Sequence, residues 1–153
     1  MTVPLEVAGS VAVVTGGANG IGKGIVRALL EADATVVIAD IEQDVMDTTV
    51  AVLSASFPGR VSGILVDVSD ADSVESLADQ VFTVHGRCTL LYNNAGVGSG
   101  GGGRIWTHEP NDWRWCYGVN VFGTANGIMA FVPRMLASGE PGHVVNTSSG
   151  DGG

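Results

Sequence analysis

Five short runs of apolar, mostly β-branched residues recur along this chain, separated by longer stretches whose apolar residues return every three or four positions. The short runs are Val11–Thr15, Thr35–Ala39, Val61–Val66, Thr89–Tyr92 and His143–Thr147. They do not alternate apolar with polar residues, which is the pattern of strands covered on both faces in a parallel sheet. Among the longer stretches, Ile21, Ile25, Leu29 and Ala32 share one helical face, as do Val74, Leu77, Ala78, Val81 and Phe82. Ser69 is expected to cap the second of these helices, with Asp70 and Asp72 at its positive end. A further helix is expected over Ile41–Ser56, ending before Pro58 and Gly59. A long one is expected from about Asn111–Asp112 to about Ala137, kinked at Pro133.

The order is therefore strand–helix repeated four times and closed by a fifth strand, with no internal repeat or linker. Right-handed crossovers make this an α/β protein, a Rossmann-type doubly wound parallel sheet in three layers, α/β/α. One nucleotide-binding domain is expected over residues 1–153. Gly150–Gly153 reads as the start of a loop and the fifth strand as an edge with nothing beyond it, so the domain is expected to be truncated after that strand.

Composition narrows the partners. Hydrophobic residues make up 45% and charged residues 15%, which excludes a disordered chain. The net charge of −9 lacks the basic footprint that nucleic acid or an anionic membrane requires. Trp115 to Pro133 carries no charge, but Gly118, Asn120, Gly123, Asn126 and Pro133 suit a helix buried against protein better than one in lipid. No secretory signal is visible, since the first basic residue is Lys23. Cys88 and Cys116 have no zinc-like or paired spacing and are expected to be buried thiols in a reducing cytoplasm. His85, His108 and His143 are scattered, so no metal site is expected. Trp106, Trp113 and Trp115 are expected to pack the loop and helix start.

The 23 glycines cluster at residues 16–24 and 96–103 and in the tail. The first cluster joins a strand directly to a helix. Glycine there lets backbone N–H groups and the helix N-terminus approach a pyrophosphate. Asp40 then follows the second strand, where dinucleotide folds place an acid against the adenosine ribose. Its carboxylate can accept from both ribose hydroxyls and would repel a 2′-phosphate, and neither Asn19 nor Ile41 offers a cation to welcome that phosphate. The cofactor expected is NAD rather than NADP.

Thr15-Gly16-Gly17-Ala18-Asn19-Gly20-Ile21-Gly22 resembles the TGxxxGIG signature of the short-chain dehydrogenase/reductase family, classical type. Asp67-Val68 after the third strand resembles the family's adenine-contacting acid, and Asn93-Asn94-Ala95-Gly96 its NNAG segment. Asn120 resembles its helix asparagine, and Val144-Val145-Asn146-Thr147-Ser148-Ser149 the strand ending in its serine. The resemblance implies cofactor contacts from Gly16, Asn19, Gly20, Ile21, Gly22, Asp40, Asp67, Val68, Asn94, Ala95 and Gly96, and catalytic roles for Ser149 and Asn120. Bland alternatives stay open at this level. Asp67 could simply cap a helix, and Asn120 could be a bonded structural amide rather than the anchor of a water. Ser149 is preferred over Ser148.

The resemblance further implies reversible hydride transfer between nicotinamide and an alcohol or ketone substrate, with a possible homo-oligomer. In that family a tyrosine is the acid/base, and a lysine four positions later assists it. Neither Tyr92 nor Tyr117 fits, because Gly96 and Val121 stand four positions on, and Lys23 is the only lysine. This chain is expected to be inactive alone. A non-catalytic dinucleotide-binding module or a degenerate fragment is the alternative, with an extended-family epimerase or reductase weaker still.

Overall fold

Both faces of the central strands are buried, and this organises the molecule. The computed structural model describes residues 6–98 and 103–149. The strands are β1 (Val11–Thr15), β2 (Thr35–Asp40), β3 (Val61–Leu65), β4 (Leu90–Asn93) and β5 (His143–Asn146). They form one parallel sheet in the order β3-β2-β1-β4-β5. Successive side chains of a strand point to opposite faces, and the core divides accordingly. Val13, Val37 and Leu91 pack on one side with Val74, Leu77, Val81 and Phe131, while Val14, Ile38 and Leu90 pack on the other with Val26, Leu30 and Met46. The strands lie within one or two residues of the apolar runs, and the expected three-layer α/β/α sandwich is present.

The helices are α1 (Gly20–Glu31), α2 (Gln43–Ser56), α3 (Ala71–His85), α4 (Pro110–Tyr117) and α5 (Gly123–Ser138). α2 begins two residues later than Ile41. α3 is capped by Asp70, whose carboxylate accepts from the Asp72 N–H, rather than by Ser69. Ser69 instead donates its N–H and hydroxyl to Asp67, so it belongs to the turn that precedes the cap. α4 starts on Pro110 inside a capping box formed by Glu109 and Asp112.

The expected single long helix is interrupted earlier than at Pro133. Gly118–Phe122 forms a π turn between α4 and α5, a wide turn with i→i+5 bonding that is common at functional sites. Pro133 lies inside α5, which continues to Ser138. Gly123, Asn126, Gly127, Ala130 and Phe131 are the sheet-facing side of α5. Val121, Phe122, Met129 and Leu136 are exposed, so the uncharged stretch is buried on one face only. No helix among the described residues is long and apolar enough to cross a membrane. Residues 99–102 of the second glycine cluster, and the expected terminal loop Gly150–Gly153, lie outside the described residues.

Neither cysteine is paired; Cys88 is buried and Cys116 only half-buried. Burial pushes the Cys88 thiol up to about 12, against slight opposition from backbone hydrogen bonds of Leu90 and Val13. The unfolded chain therefore releases this proton near 9 while the folded chain holds it. The contribution of this thiol to stability is full below that pH and is lost as pH rises toward 12. At pH 8 a thiol reagent is expected to modify Cys116 promptly and Cys88 only on unfolding, which peptide mapping of the labelled protein checks.

Candidate functional site

Parallel strands leaving in opposite directions open a crevice at their carboxyl ends. Here the reversal falls between β1, whose other neighbour is β2, and β4. A cleft of about 580 Å³ lies there. All eleven residues expected to contact a cofactor line it: Gly16, Asn19, Gly20, Ile21 and Gly22 from the first loop, Asp40 from the end of β2, Asp67 and Val68 after β3, and Asn94, Ala95 and Gly96 after β4. The loops come together because each follows a strand of the same parallel sheet.

The first loop is held by close contacts that only glycine permits. Gly16 has φ +62°, and a Cβ there would lie 2.9 Å from the Cα of Ala95. A Cβ on Gly22 would overlap the Gly16 carbonyl oxygen and sit 2.7 Å from Asn94 Nδ2. Into this slot Asn94 Nδ2 donates to the carbonyls of Thr15 and Gly16, at 3.2 and 3.3 Å. The Thr15 hydroxyl accepts from the N–H groups of Asn94 and Ala95, both at 3.0 Å. Thr15 was visible in the sequence only as a motif letter; its hydroxyl joins β1 to β4.

The electrostatics divide the cleft into an end with free backbone donors and an acidic wall. The first-turn N–H groups of a helix have no intrahelical partner. α1 has no acid in that turn, and its N-cap Asn19 makes no side-chain capping bond. α3 and α4, by contrast, are both capped by their own acids. The wall beyond is acidic, with Asp40, Glu42 and Asp67, and the described lining residues include no lysine or arginine. Asp40 is anchored, one oxygen accepting from the Ala18 N–H at 3.0 Å and the other from the Glu42 N–H at 3.1 Å. Each oxygen keeps a further lone pair for a ligand. Asp67 lines the cleft and accepts from the Ser69 N–H and hydroxyl in the turn ahead of α3; the helix is capped by Asp70, so Asp67 is not its cap.

Asn120 lies in the π turn. Its Oδ1 accepts from the Val97 N–H at 2.8 Å, and its Nδ2 donates to the Val97 carbonyl at 2.9 Å. The carboxamide is thus bonded at both ends to the segment that follows Gly96. Ser149 is exposed, three residues past β5. The cleft wall reaches Thr147, two residues before it. Sequence reasoning also missed Val97, Val119 and Trp115, which line the cleft. Of the three tryptophans, Trp115 borders the cleft, while Trp113 packs beside His108 and Tyr117.

A model of the short chain dehydrogenase family matches residues 10–153. This chain belongs to that family. It is 41% identical over 140 residues to a C alpha-dehydrogenase of a Sphingobium species, covering 91% of this chain and 45% of that protein. It is 37% identical to a 1-deoxy-11-beta-hydroxypentalenate dehydrogenase of Streptomyces avermitilis, covering 92% of this chain and 52% of that one. The chain thus spans about half the length of these curated relatives. Among solved structures, a short chain dehydrogenase/reductase from Burkholderia phymatum in complex with NAD superposes with a TM-score of 0.91 and 40% identity, over 95% of this chain and 51% of that one. A metagenomic short-chain oxidoreductase in complex with NADP gives 0.85 and 36%, over 93% and 63%.

In this short-chain dehydrogenase chain the slot around Gly22 leaves no space for a side chain. Gly22→Ala is expected to lower stability by about 1–3 kcal/mol, read as a lower urea midpoint; an unchanged midpoint would contradict the tight fit.

Proposed function

We propose that the cleft binds a nicotinamide dinucleotide, NAD in preference to NADP, and that the chain is the nucleotide-binding portion of an oxidoreductase acting on an alcohol or ketone. The observation that carries the preference is the anchored Asp40 carboxylate on a wall whose described residues supply no cation. In this reading the N–H groups at the start of α1 hold the phosphates and Asp40 accepts from the ribose hydroxyls. Asp67 and Val68 border the adenine, and the backbone of Asn94, Ala95 and Gly96 borders the remainder. When bound, the nicotinamide donates or accepts a hydride at C4. Ser149 would bond the substrate oxygen. The Asn120 side chain is committed to Val97 and its main-chain carbonyl accepts from the Thr124 hydroxyl, so in this reading Asn120 ties the π turn to the loop that follows β4.

Two coarser elements belong to the same reading. Unpaired Cys88 and Cys116 support a cytoplasmic setting. The exposed Val121, Phe122, Met129 and Leu136 support a homo-oligomer. The alternative is a dinucleotide-binding module without chemistry; within these 153 residues Lys23 is the only lysine, and neither Tyr92 nor Tyr117 has a lysine four positions on.

Titration by NADH and NADPH fluorescence tests the cofactor. NADH is expected to bind about tenfold more tightly, the equivalent of ~1.4 kcal/mol. Asp40→Asn, which keeps an acceptor for the loop N–H groups but removes the charge, should narrow that gap. Equal affinities in the unsubstituted chain would overturn the preference. The 153-residue chain is expected to show no NAD-linked oxidation of secondary alcohols above a no-protein control. Turnover that Ser149→Ala abolishes would refute the proposed inactivity.

A further inference from the structure

The side chain of Thr147 stands at the cleft wall where β5 ends, and its hydroxyl lies 3.1 Å from Asn94 Oδ1. We infer that Thr147 is a positioning residue for the phosphate-binding loop, acting through the Asn94 carboxamide; this rests on the reading of the cleft as a dinucleotide site.

A carboxamide oxygen accepts only, so the shared proton comes from Thr147. That places the amide nitrogen on the opposite side, facing the carbonyls of Thr15 and Gly16. A rotated amide would set its oxygen against those two carbonyls and its NH2 against a hydroxyl whose proton is no longer needed there. The two carbonyls select the orientation, since a hydroxyl could accept as readily as it donates, and the Thr147 hydroxyl adds the bond that holds the amide in it. The selection matters because the amide nitrogen fills the slot above Gly22, 2.7 Å from where a Cβ would stand. It thereby ties the Gly16 carbonyl to the end of β4. Thr147 is itself fixed from behind, its N–H donating to the Asn93 carbonyl at 3.0 Å. The loop that approaches the phosphates is thus referenced to three strands, and the outermost link is one hydroxyl.

Thr147→Val removes the hydroxyl with little change of shape and keeps a good strand residue; Thr147→Ser keeps the hydroxyl. NADH affinity by fluorescence and the melting temperature without ligand are measured for all three proteins. Thr147→Val is expected to weaken binding about fivefold, the worth of one hydrogen bond, while Thr147→Ser stays near the unsubstituted chain and all three melt alike. Unchanged affinity in Thr147→Val overturns the inference. So does an equal loss in both variants, or a loss that only follows a lower melting temperature. Should the unsubstituted chain itself bind neither NADH nor NADPH, the dinucleotide reading fails, and exchange of the Asn94 side-chain amide protons by NMR decides the positioning role. Slow exchange in the unsubstituted and Ser proteins with fast exchange in the Val protein supports it; equal rates overturn it.

Discussion

The Thr15 hydroxyl accepts from two successive N–H groups, those of Asn94 and Ala95, at the point where β1 and β4 stop running side by side. Beyond that point the chains diverge, and a parallel sheet has no further ladder bonds to hold them. The hydroxyl replaces the missing ladder, and the Asn94 amide adds two bonds back to the carbonyls of Thr15 and Gly16. With Gly16 resting against Ala95, the mouth of the cleft has a fixed width before any ligand arrives. Such preorganisation matters for a dinucleotide, because ordering a glycine-rich loop on binding would consume affinity.

The charge distribution follows from the same constraint. A chain of net charge −9 is a poor general attractor for a pyrophosphate, so attraction has to be local and directional. Backbone N–H groups can supply it, but only where nothing else has used them. α1 begins without a capping side chain or first-turn acid, whereas α3 and α4 are each capped by their own acids. The acids lie one strand away, where Asp40 is held in place by the Ala18 and Glu42 N–H groups. On the proposed reading, this separation of donors from acids along one cleft would let an acidic protein bind phosphate at one place and reject it at another.

What was legible in the sequence was local. Strands buried on both faces show uninterrupted apolar runs, so β1 to β5 could be read almost to the residue. Glycine loops and acids that follow strands announce themselves by position, and every residue so chosen lines the cleft. Apart from the cap of α3, which is a local competition, the misses depend on partners distant in the chain. Asp70 outcompetes Ser69 as the cap because Ser69 is already engaged by Asp67. Thr147 looks like the last residue of a strand until Asn94 is placed beside it. Trp115 and Val119 reach the cleft only through the docking of their helix, which nothing in their own neighbourhood encodes.

That docking explains why the long helix cannot be regular. Below the π turn, α5 is drawn onto the sheet by missing side chains: a Cβ on Gly123 would lie 2.7 Å from Val68, and one on Gly127 would overlap Asn93 Oδ1. Asn126 donates to the Val68 carbonyl, and Arg134 bridges to Glu75 and Asp79 on α3. Above it, α4 is fixed by its capping box and turns Trp115 toward the cleft. One residue added to a helical turn changes the phase between the two halves by about 100°. The π turn absorbs that difference, and Asn120 sits within it with both ends of its carboxamide on Val97. Its place in the candidate site is therefore set by two helices docked separately, and the bond to Val97 joins the result to the loop that follows β4.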